Sequence, residues 1–201
     1  MIYVVGISIN DVVNKKGGVA MFNHQYSRIN QLGFIVENME QAIRDYARIY
    51  HIKRWYRAAN DMKDQIFYKG EKIKDDGFDL VIGYSGNLEI ELITSTAKEN
   101  IYVDFLRENG PGLHHVSYFV SNLNKAIEDY RSIGFELVQN GMMGNKSVVT
   151  RYAYLRPPKS RYGNIVELQQ TRIYDKITVY RNSFLTWAGT FTGGARRIKL
   201  S

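Results

Sequence analysis

The fold is decided by the stretch Gly110-Pro-Gly-Leu-His-His-Val-Ser-Tyr-Phe-Val120. Gly-Pro-Gly is typical of a turn, and the β-branched and aromatic run after it predicts a strand. Side chains alternate between the two faces of a strand, so His114 shares one face with Val116 and His115 lies on the other. The helical spacing of residues 122–133 predicts a helix that covers the Val116 face. His115 then faces away from that helix, where a ligand could bind.

The same pattern occurs earlier in the chain. Residues 31–46 align without a gap with residues 115–130, and both segments read as a strand followed by a helix. An internal duplication of this kind fixes the architecture, because each copy must fold into the same unit. Gln31 occupies in the first half the position that His115 has in the second half.

Both halves continue in the same order, with a strand, a helix and then three strands. Asn38 and Asn122 stand just before the two helical patterns and are predicted N-caps. Residues 139–145 of the second half are rich in glycine and polar residues and predict a mobile loop. The predicted divisions are an N-terminal extension (1–27), a first βαβββ module (28–97), a linker (98–111), a second βαβββ module (112–171) and a C-terminal tail that packs on the body or on a partner subunit (172–201).

Composition limits the classes of protein to consider. The 201 residues are 44% hydrophobic, which is enough for a substantial core, and no apolar run is long enough to cross a membrane. The start of the chain lacks the pattern of a secretion signal, so a cytoplasmic location is expected. The net charge of +7 suits an acidic partner such as a phosphate-bearing small molecule. Because the basic residues are scattered, neither nucleic acid nor a membrane surface is expected as a partner.

Four polar residues recur at matching places in the two halves. The last strand of each half carries a glutamate between apolar neighbours, Glu91 in the first and Glu167 in the second. Alternation turns each glutamate away from the buried face, toward the side of Gln31 and His115. A lone histidine or glutamate in a strand is more often structural, but the duplicated positions favour a metal site.

Three oxygen ligands and one imidazole suit one divalent cation, either Co²⁺, Mn²⁺, Ni²⁺, Zn²⁺ or Mg²⁺. Four protein ligands leave two octahedral positions open for the oxygens of an enediolate or an enolate. The cation then offsets the charge that develops when a carbon acid loses its proton. A glutamate at the edge of the cation can carry that proton.

In these residues and their spacing, the chain resembles the vicinal oxygen chelate superfamily, which includes glyoxalases, epimerases, fosfomycin-resistance enzymes and extradiol dioxygenases. The resemblance covers residues 29–170 and implies an α+β fold in which two tandem βαβββ modules form an open mixed β-barrel around a metal site. The pattern is most similar to methylmalonyl-CoA epimerase in Gly110–Val116 and in Gly163–Gln169. This likeness implies metal ligands at Gln31, Glu91, His115 and Glu167.

Two positions depart from the epimerase pattern. Gln31 stands where the epimerases have histidine, which gives the ligand set of the lactoylglutathione lyases. Asp75, in Asp-Asp-Gly77, stands where the epimerases have a catalytic glutamate, and aspartate is one methylene shorter.

The resemblance therefore implies a metal-dependent epimerase or isomerase that abstracts a proton alpha to a carbonyl through a metal-bound enolate. Glu167 and Asp75 are the predicted acid/base pair, because inverting a stereocentre needs a proton donor on each face. The expected substrate is a small molecule such as an acyl-CoA, and a homodimer is expected. The alternatives are a lactoylglutathione lyase and a non-catalytic binding or resistance protein of the same fold. An extradiol dioxygenase is disfavoured, because Fe(II) oxygenases use two histidines and one carboxylate.

Overall fold

The computed structural model describes residues 28–58, 65–73, 77–159, 164–174, 176–178, 186 and 195–198. The first half contains β1 (Gln31–Ile35), α1 (Met39–Ile49), β2 (Trp55–Ala58), β3 (Ile66–Tyr68), β4 (Glu71–Ile73), β5 (Phe78–Ser85) and β6 (Leu88–Ser95). The remainder contains α2 (Ile101–Asn109), β7 (Gly112–Phe119), α3 (Leu123–Ser132), β8 (Glu136–Gly144), β9 (Val148–Arg156), β10 (Ile165–Ile173), β11 (Lys176–Thr178) and β12 (Ala195–Ile198).

The strands of the described residues form one curled mixed sheet. Its order is β12-β2-β5-β6-β1-β7-β10-β9-β8-β3-β4, and β11 pairs with β10. In each half the first strand lies parallel to the last, β1 beside β6 and β7 beside β10. The strand order β1-β6-β5-β2 of the first half repeats as β7-β10-β9-β8 in the second. The predicted α+β fold with two tandem βαβββ modules is confirmed.

The outer face of the sheet is apolar and lies under two helices. Phe34 of β1 and Leu92 of β6 belong to a cluster that packs against α1, and Leu168 of β10 belongs to a cluster that packs against α3. The inner face has a third cluster, into which Tyr102 of α2 inserts. The central strands are therefore buried on both faces, and any charged side chain on their inner face is removed from water.

The two helices on the outer face begin as predicted. The Asn38 side-chain oxygen accepts a hydrogen bond from the Gln41 backbone N–H at 3.0 Å. The Asn122 oxygen accepts from the Lys125 backbone N–H at 3.1 Å. Each asparagine has extended backbone angles and satisfies a backbone donor of the first turn that has no intrahelical partner.

The two halves meet where β1 pairs antiparallel with β7. Gly33 lies opposite His115, and Phe34 lies opposite Leu113, so a β-bulge leaves His114 as the extra residue on β7. The His114 ring contacts the rings of Tyr102 and Phe105, both in α2, with centroid separations of 5.6 and 5.0 Å. The prediction that His114 faces α3 together with Val116 is therefore wrong, because the bulge interrupts the alternation.

A hairpin inserted into the first half completes the far edge of the sheet. It consists of β3 and β4, and β3 pairs with β8 of the second half. The Tyr68 hydroxyl donates to the Asp104 carboxylate in α2, and the Lys69 ammonium lies 3.0 Å from the same carboxylate. Asp104 is buried, so these contacts attach the hairpin to α2.

The prediction of a mobile loop at residues 139–145 is wrong. Residues 139–144 continue β8, which is paired on one side with β9 and on the other with β3. Gln139 is buried, and its side-chain oxygen accepts a hydrogen bond from the Ile101 backbone N–H at 3.2 Å. The local sequence pattern did not indicate this strand, because its polar residues form their hydrogen bonds with parts of the chain that are distant in sequence.

The ends of the chain are described only in part. The predicted extension 1–27 lies outside the described residues. Within the predicted tail, residues 195–198 form β12, which pairs antiparallel with β2. In the part of the chain that the structure describes, no helix has the length and hydropathy of a membrane span.

The N-cap of α3 gives a test of the fold. Asn122→Ala removes the acceptor for the first turn and should lower the free energy of unfolding by about 1 kcal/mol. Asn122→Asp keeps an acceptor oxygen and should retain most of the stability. Urea unfolding followed by circular dichroism measures both values. Equal stability of Asn122→Ala and the unsubstituted protein would contradict a role for the cap.

Candidate metal centre

The central four strands of the sheet direct polar side chains to the inner face. In the register of β6, β1, β7 and β10, Gly33 lies between Glu91 and His115, and Ser117 lies between Gln31 and Glu167. The polar residues of this inner face are all buried: Gln31, Glu89, Glu91, His115, Ser117, Glu167 and Gln169.

Three of the four predicted ligands converge. His115 Nε2 lies 3.2 Å from Glu91 Oε2 and 3.3 Å from Glu167 Oε2. One ligand atom from each of these residues lies within 4.8 Å of the others. His115 Nε2 and Glu91 Oε2 are buried and make no hydrogen bond to the described residues. Their ligand atoms are therefore directed at a common point, where a protonated His115 forms close ion pairs with both carboxylates.

The fourth predicted ligand, Gln31, reaches this group through a hydrogen bond. Gln31 Nε2 donates to Glu89 Oε1 at 2.9 Å, and Gln31 Oε1 accepts from Gln169 Nε2 at 2.7 Å. Gln169 Nε2 also donates to Glu167 Oε2 at 2.6 Å. The oxygen of Gln31, and not its amide nitrogen, is thus on the side of Glu167.

The charges of the three converging residues depend on one another. Burial opposes a charged imidazole, but the neighbouring Glu167 and Glu91 carboxylates outweigh it and raise the pKa of His115 to about 9. Burial raises the pKa of Glu91, and the contact with His115 only partly opposes this effect. For Glu167, burial is outweighed by the charge of His115 and by the Gln169 and Ser117 donors, so its pKa is lowered.

His114 fixes the orientation of the His115 ring. The two Nδ1 atoms lie 2.9 Å apart. Burial and the charge of His115 hold the pKa of His114 well below its usual range, so His114 is neutral. A charged His115 carries a proton on Nδ1, which must donate to His114 Nδ1. The same arrangement leaves His115 Nε2 available as a ligand when its own proton is lost.

A divalent cation fits these residues. Two buried carboxylates with one imidazolium leave a net negative charge away from water, which is unfavourable. A divalent ion in place of the imidazolium proton balances both carboxylates. Two carboxylate oxygens and one imidazole nitrogen are also a donor set that such ions accept.

A small cavity of about 20 Å³ adjoins Glu91 and Glu167. Glu91, Glu167 and Gln169 line one part of it, and the rest of its lining is aromatic or apolar: Ala58, Phe78, Leu80, Tyr102, Met143, Tyr152 and Tyr154. This volume admits a metal ion or about one water molecule, with carboxylates on one side and apolar side chains on the other.

The remaining predicted site residue, Asp75, lies outside the described residues. Sequence reasoning also missed four inner-face positions: Gly33, Glu89, Ser117 and Gln169. A period of two along β6 and β10 could have found Glu89 and Gln169, because they stand two residues from Glu91 and Glu167. Gly33 had a weaker signal, since a glycine within a strand often marks a close approach of another group.

Gly33 gives a direct test of the site. A Cβ at this position would lie 1.9 Å from His115 Cε1, so Gly33→Ala must displace the imidazole. We expect the substitution to lower the free energy of unfolding by about 1–3 kcal/mol and to weaken metal binding. The double variant with His115→Ala removes the clashing ring, and in that background Gly33→Ala should cost little. A full cost in both backgrounds would contradict the proposed clash.

The pKa of His115 predicts the pH dependence of metal binding. In metal-free protein below pH 9 the imidazole keeps a proton that a cation must displace. Affinity should therefore rise with pH, by up to about tenfold per unit between about pH 6.5 and 8.5. Titration calorimetry in buffers of different ionisation enthalpy should show release of about one proton per ion at pH 7. His51→Asn, which alters an exposed histidine, is the control, and an affinity independent of pH would contradict the assignment.

Comparison with known proteins places this geometry in a family. The model of the Glyoxalase/Bleomycin resistance protein/Dioxygenase superfamily matches residues 30–154. No curated protein sequence gives a significant match.

Among solved structures, methylmalonyl-CoA epimerase from Mycobacterium tuberculosis is 22% identical, with a TM-score of 0.51 over 70% of this chain and 85% of that one. A variant of methylmalonyl-CoA epimerase from Streptomyces coelicolor in complex with 2-nitronate-propionyl-CoA is 17% identical, with a TM-score of 0.52 over 72% of this chain and 97% of that one. At these identities the solved structures establish the fold and not the activity.

The family model covers more than half of the 201 residues, and its match agrees with the paired βαβββ modules. The chain belongs to the glyoxalase/bleomycin resistance protein/dioxygenase superfamily.

Proposed function

We propose that the protein is a metal-dependent isomerase of the methylmalonyl-CoA epimerase type, which removes a proton alpha to a carbonyl group. The observation that carries this proposal is the buried group of Glu91, His115 and Glu167 beside an otherwise apolar cavity. The similarity of the fold to methylmalonyl-CoA epimerases supports the same class of reaction.

Glu91, His115 and Glu167 would hold the metal, with the Gln31 oxygen as a fourth ligand. The bound metal would supply positive charge to oxygens that become negative as the proton leaves. Both carboxylates belong to β-strands at the centre of the sheet, so they are held without freedom to rearrange. This rigidity favours a fixed arrangement of charge during proton transfer.

Glu167 is the proposed carrier of the proton. A hydrogen bond from Gln169 and contact with His115 keep it ionised, and it lines the cavity. The opposite face of the substrate requires a second group, for which Asp75 remains a prediction.

The lining of the cavity also suits a carbon acid, and its side chains would have to move apart to admit one. Its apolar and aromatic lining limits the access of water, and this strengthens electrostatic interactions within the site. Its lining has no lysine or arginine among the described residues, so the phosphates of an acyl-CoA would stay outside it. The net charge of +7 is compatible with binding those phosphates at the surface.

A lactoylglutathione lyase is the second candidate. It is favoured by the orientation of Gln31, whose oxygen faces Glu167 and would complete a set of one glutamine, two glutamates and one histidine. Both candidate reactions begin with loss of a proton next to a carbonyl, so the same carboxylates serve either one.

Deuterium uptake distinguishes the candidates. Protein loaded with Co²⁺ or Mn²⁺ should exchange the α-proton of methylmalonyl-CoA for deuterium in D₂O. NMR measures the rate of this exchange. Glu167→Gln keeps an oxygen ligand but loses the base, and exchange should fall by about 10²–10⁴-fold. Glu128→Gln alters an exposed glutamate on α3 and should leave exchange unchanged.

No uptake by protein that is shown to contain its metal would rule out the epimerase. Turnover of the hemithioacetal of methylglyoxal and glutathione would then identify the lyase. If neither substrate reacts, a binding or resistance protein becomes the better interpretation.

A further inference from the structure

The amide of Gln31 is held at both of its polar atoms. Its nitrogen donates to Glu89 Oε1 at 2.9 Å, and its oxygen accepts from Gln169 Nε2 at 2.7 Å. All three side chains are buried, with exposed fractions of 1%, 2% and 4% for Gln31, Glu89 and Gln169.

Glu89 determines which way the amide faces. Its Oε1 accepts a hydrogen bond from the NH₂ group of Gln31, and this contact places the NH₂ group on the Glu89 side of the amide. The other Glu89 oxygen accepts from the Tyr84 hydroxyl, which also contacts Thr186 Oγ1 at 2.5 Å. Glu89 is therefore fixed at both oxygens, and it leaves the Gln31 oxygen on the side of Glu167.

The register of the two halves shows that these partners break the internal symmetry. Gln31 pairs with Glu89, whereas His115, which corresponds to Gln31, pairs with Ile165. Gln169 likewise corresponds to Ile93, since each lies two residues after the glutamate of its strand. Glu89 and Gln169 are thus polar where the other half has isoleucine. Each of the two forms a hydrogen bond with the amide of Gln31.

An amide ligand needs partners that fix which of its two polar atoms faces the cation. A freely rotating amide presents its oxygen or its NH₂ group with nearly the same shape, and only the oxygen can bind a cation. His115 is oriented separately, by His114.

We propose that Glu89 is the positioning residue that makes Gln31 a metal ligand through its oxygen, with Gln169 holding that oxygen beside Glu167. This inference rests on the metal site in the proposed function. Glu89 does not contact the cation in this proposal and acts only through Gln31.

The test measures metal affinity and the ligand environment separately. Glu89→Leu should weaken Co²⁺ binding by about 10–100-fold, the usual effect of losing a residue that orients a ligand. Gln31→Leu should have a similar effect, and adding it to Glu89→Leu should cause almost no further loss. The visible absorption of bound Co²⁺ should change in the same way in both single variants.

Two further variants separate positioning from general stability. Glu89→Gln keeps one acceptor oxygen and should recover part of the affinity, even if Glu89→Leu folds poorly. Glu136→Leu, which changes an exposed strand glutamate, is the control and should keep the affinity and the spectrum.

The proposal is overturned if Glu89→Leu and Glu89→Gln both keep the wild-type affinity and Co²⁺ spectrum, or if the losses from Glu89→Leu and Gln31→Leu simply add. Either result leaves the proposed isomerase intact, because the unsubstituted protein still binds metal. Failure of the unsubstituted protein to bind Co²⁺ would overturn the metal site and this inference together.

Discussion

The pairing of β1 with β7 is the interaction on which the rest of the structure depends. It joins the two halves antiparallel, and it places Gly33 directly against the His115 ring. The parallel pairings of β6 with β1 and of β10 with β7 then place Glu91 and Glu167 beside this junction. A shift of β1 against β7 by a single residue would turn the inner-face side chains of one half away from those of the other.

The arrangement of helices explains how buried carboxylates are tolerated. The outer face of the four central strands packs against α1 and α3 with apolar side chains, as in any two-layer fold. Burial of this outer face supplies stability that does not depend on the inner face. The inner face can therefore hold Glu91 and Glu167 away from water, at a cost that the charge of His115 or of a cation reduces.

Much of the architecture was predictable because it is repeated. The alignment of residues 31–46 with 115–130 fixed both the strand-helix unit and the N-caps, and the period of two located Glu91 and Glu167. Local patterns failed where distant contacts decide the outcome. The bulge that redirects His114 depends on the pairing of β7 with β1, and the strand through residues 139–144 depends on β3 and β9.

The partners of the candidate ligands were the least predictable part of the site. Glu89 and Gln169 are ordinary in the sequence, and their importance follows only from the register that brings both to the amide of Gln31. The two halves thus orient their candidate ligands through different contacts. An imidazole is oriented by the histidine beside it in the chain, whereas an amide requires one acceptor and one donor from neighbouring strands. Duplication supplied the frame of the site, and the differences between the copies determine which atom each side chain presents.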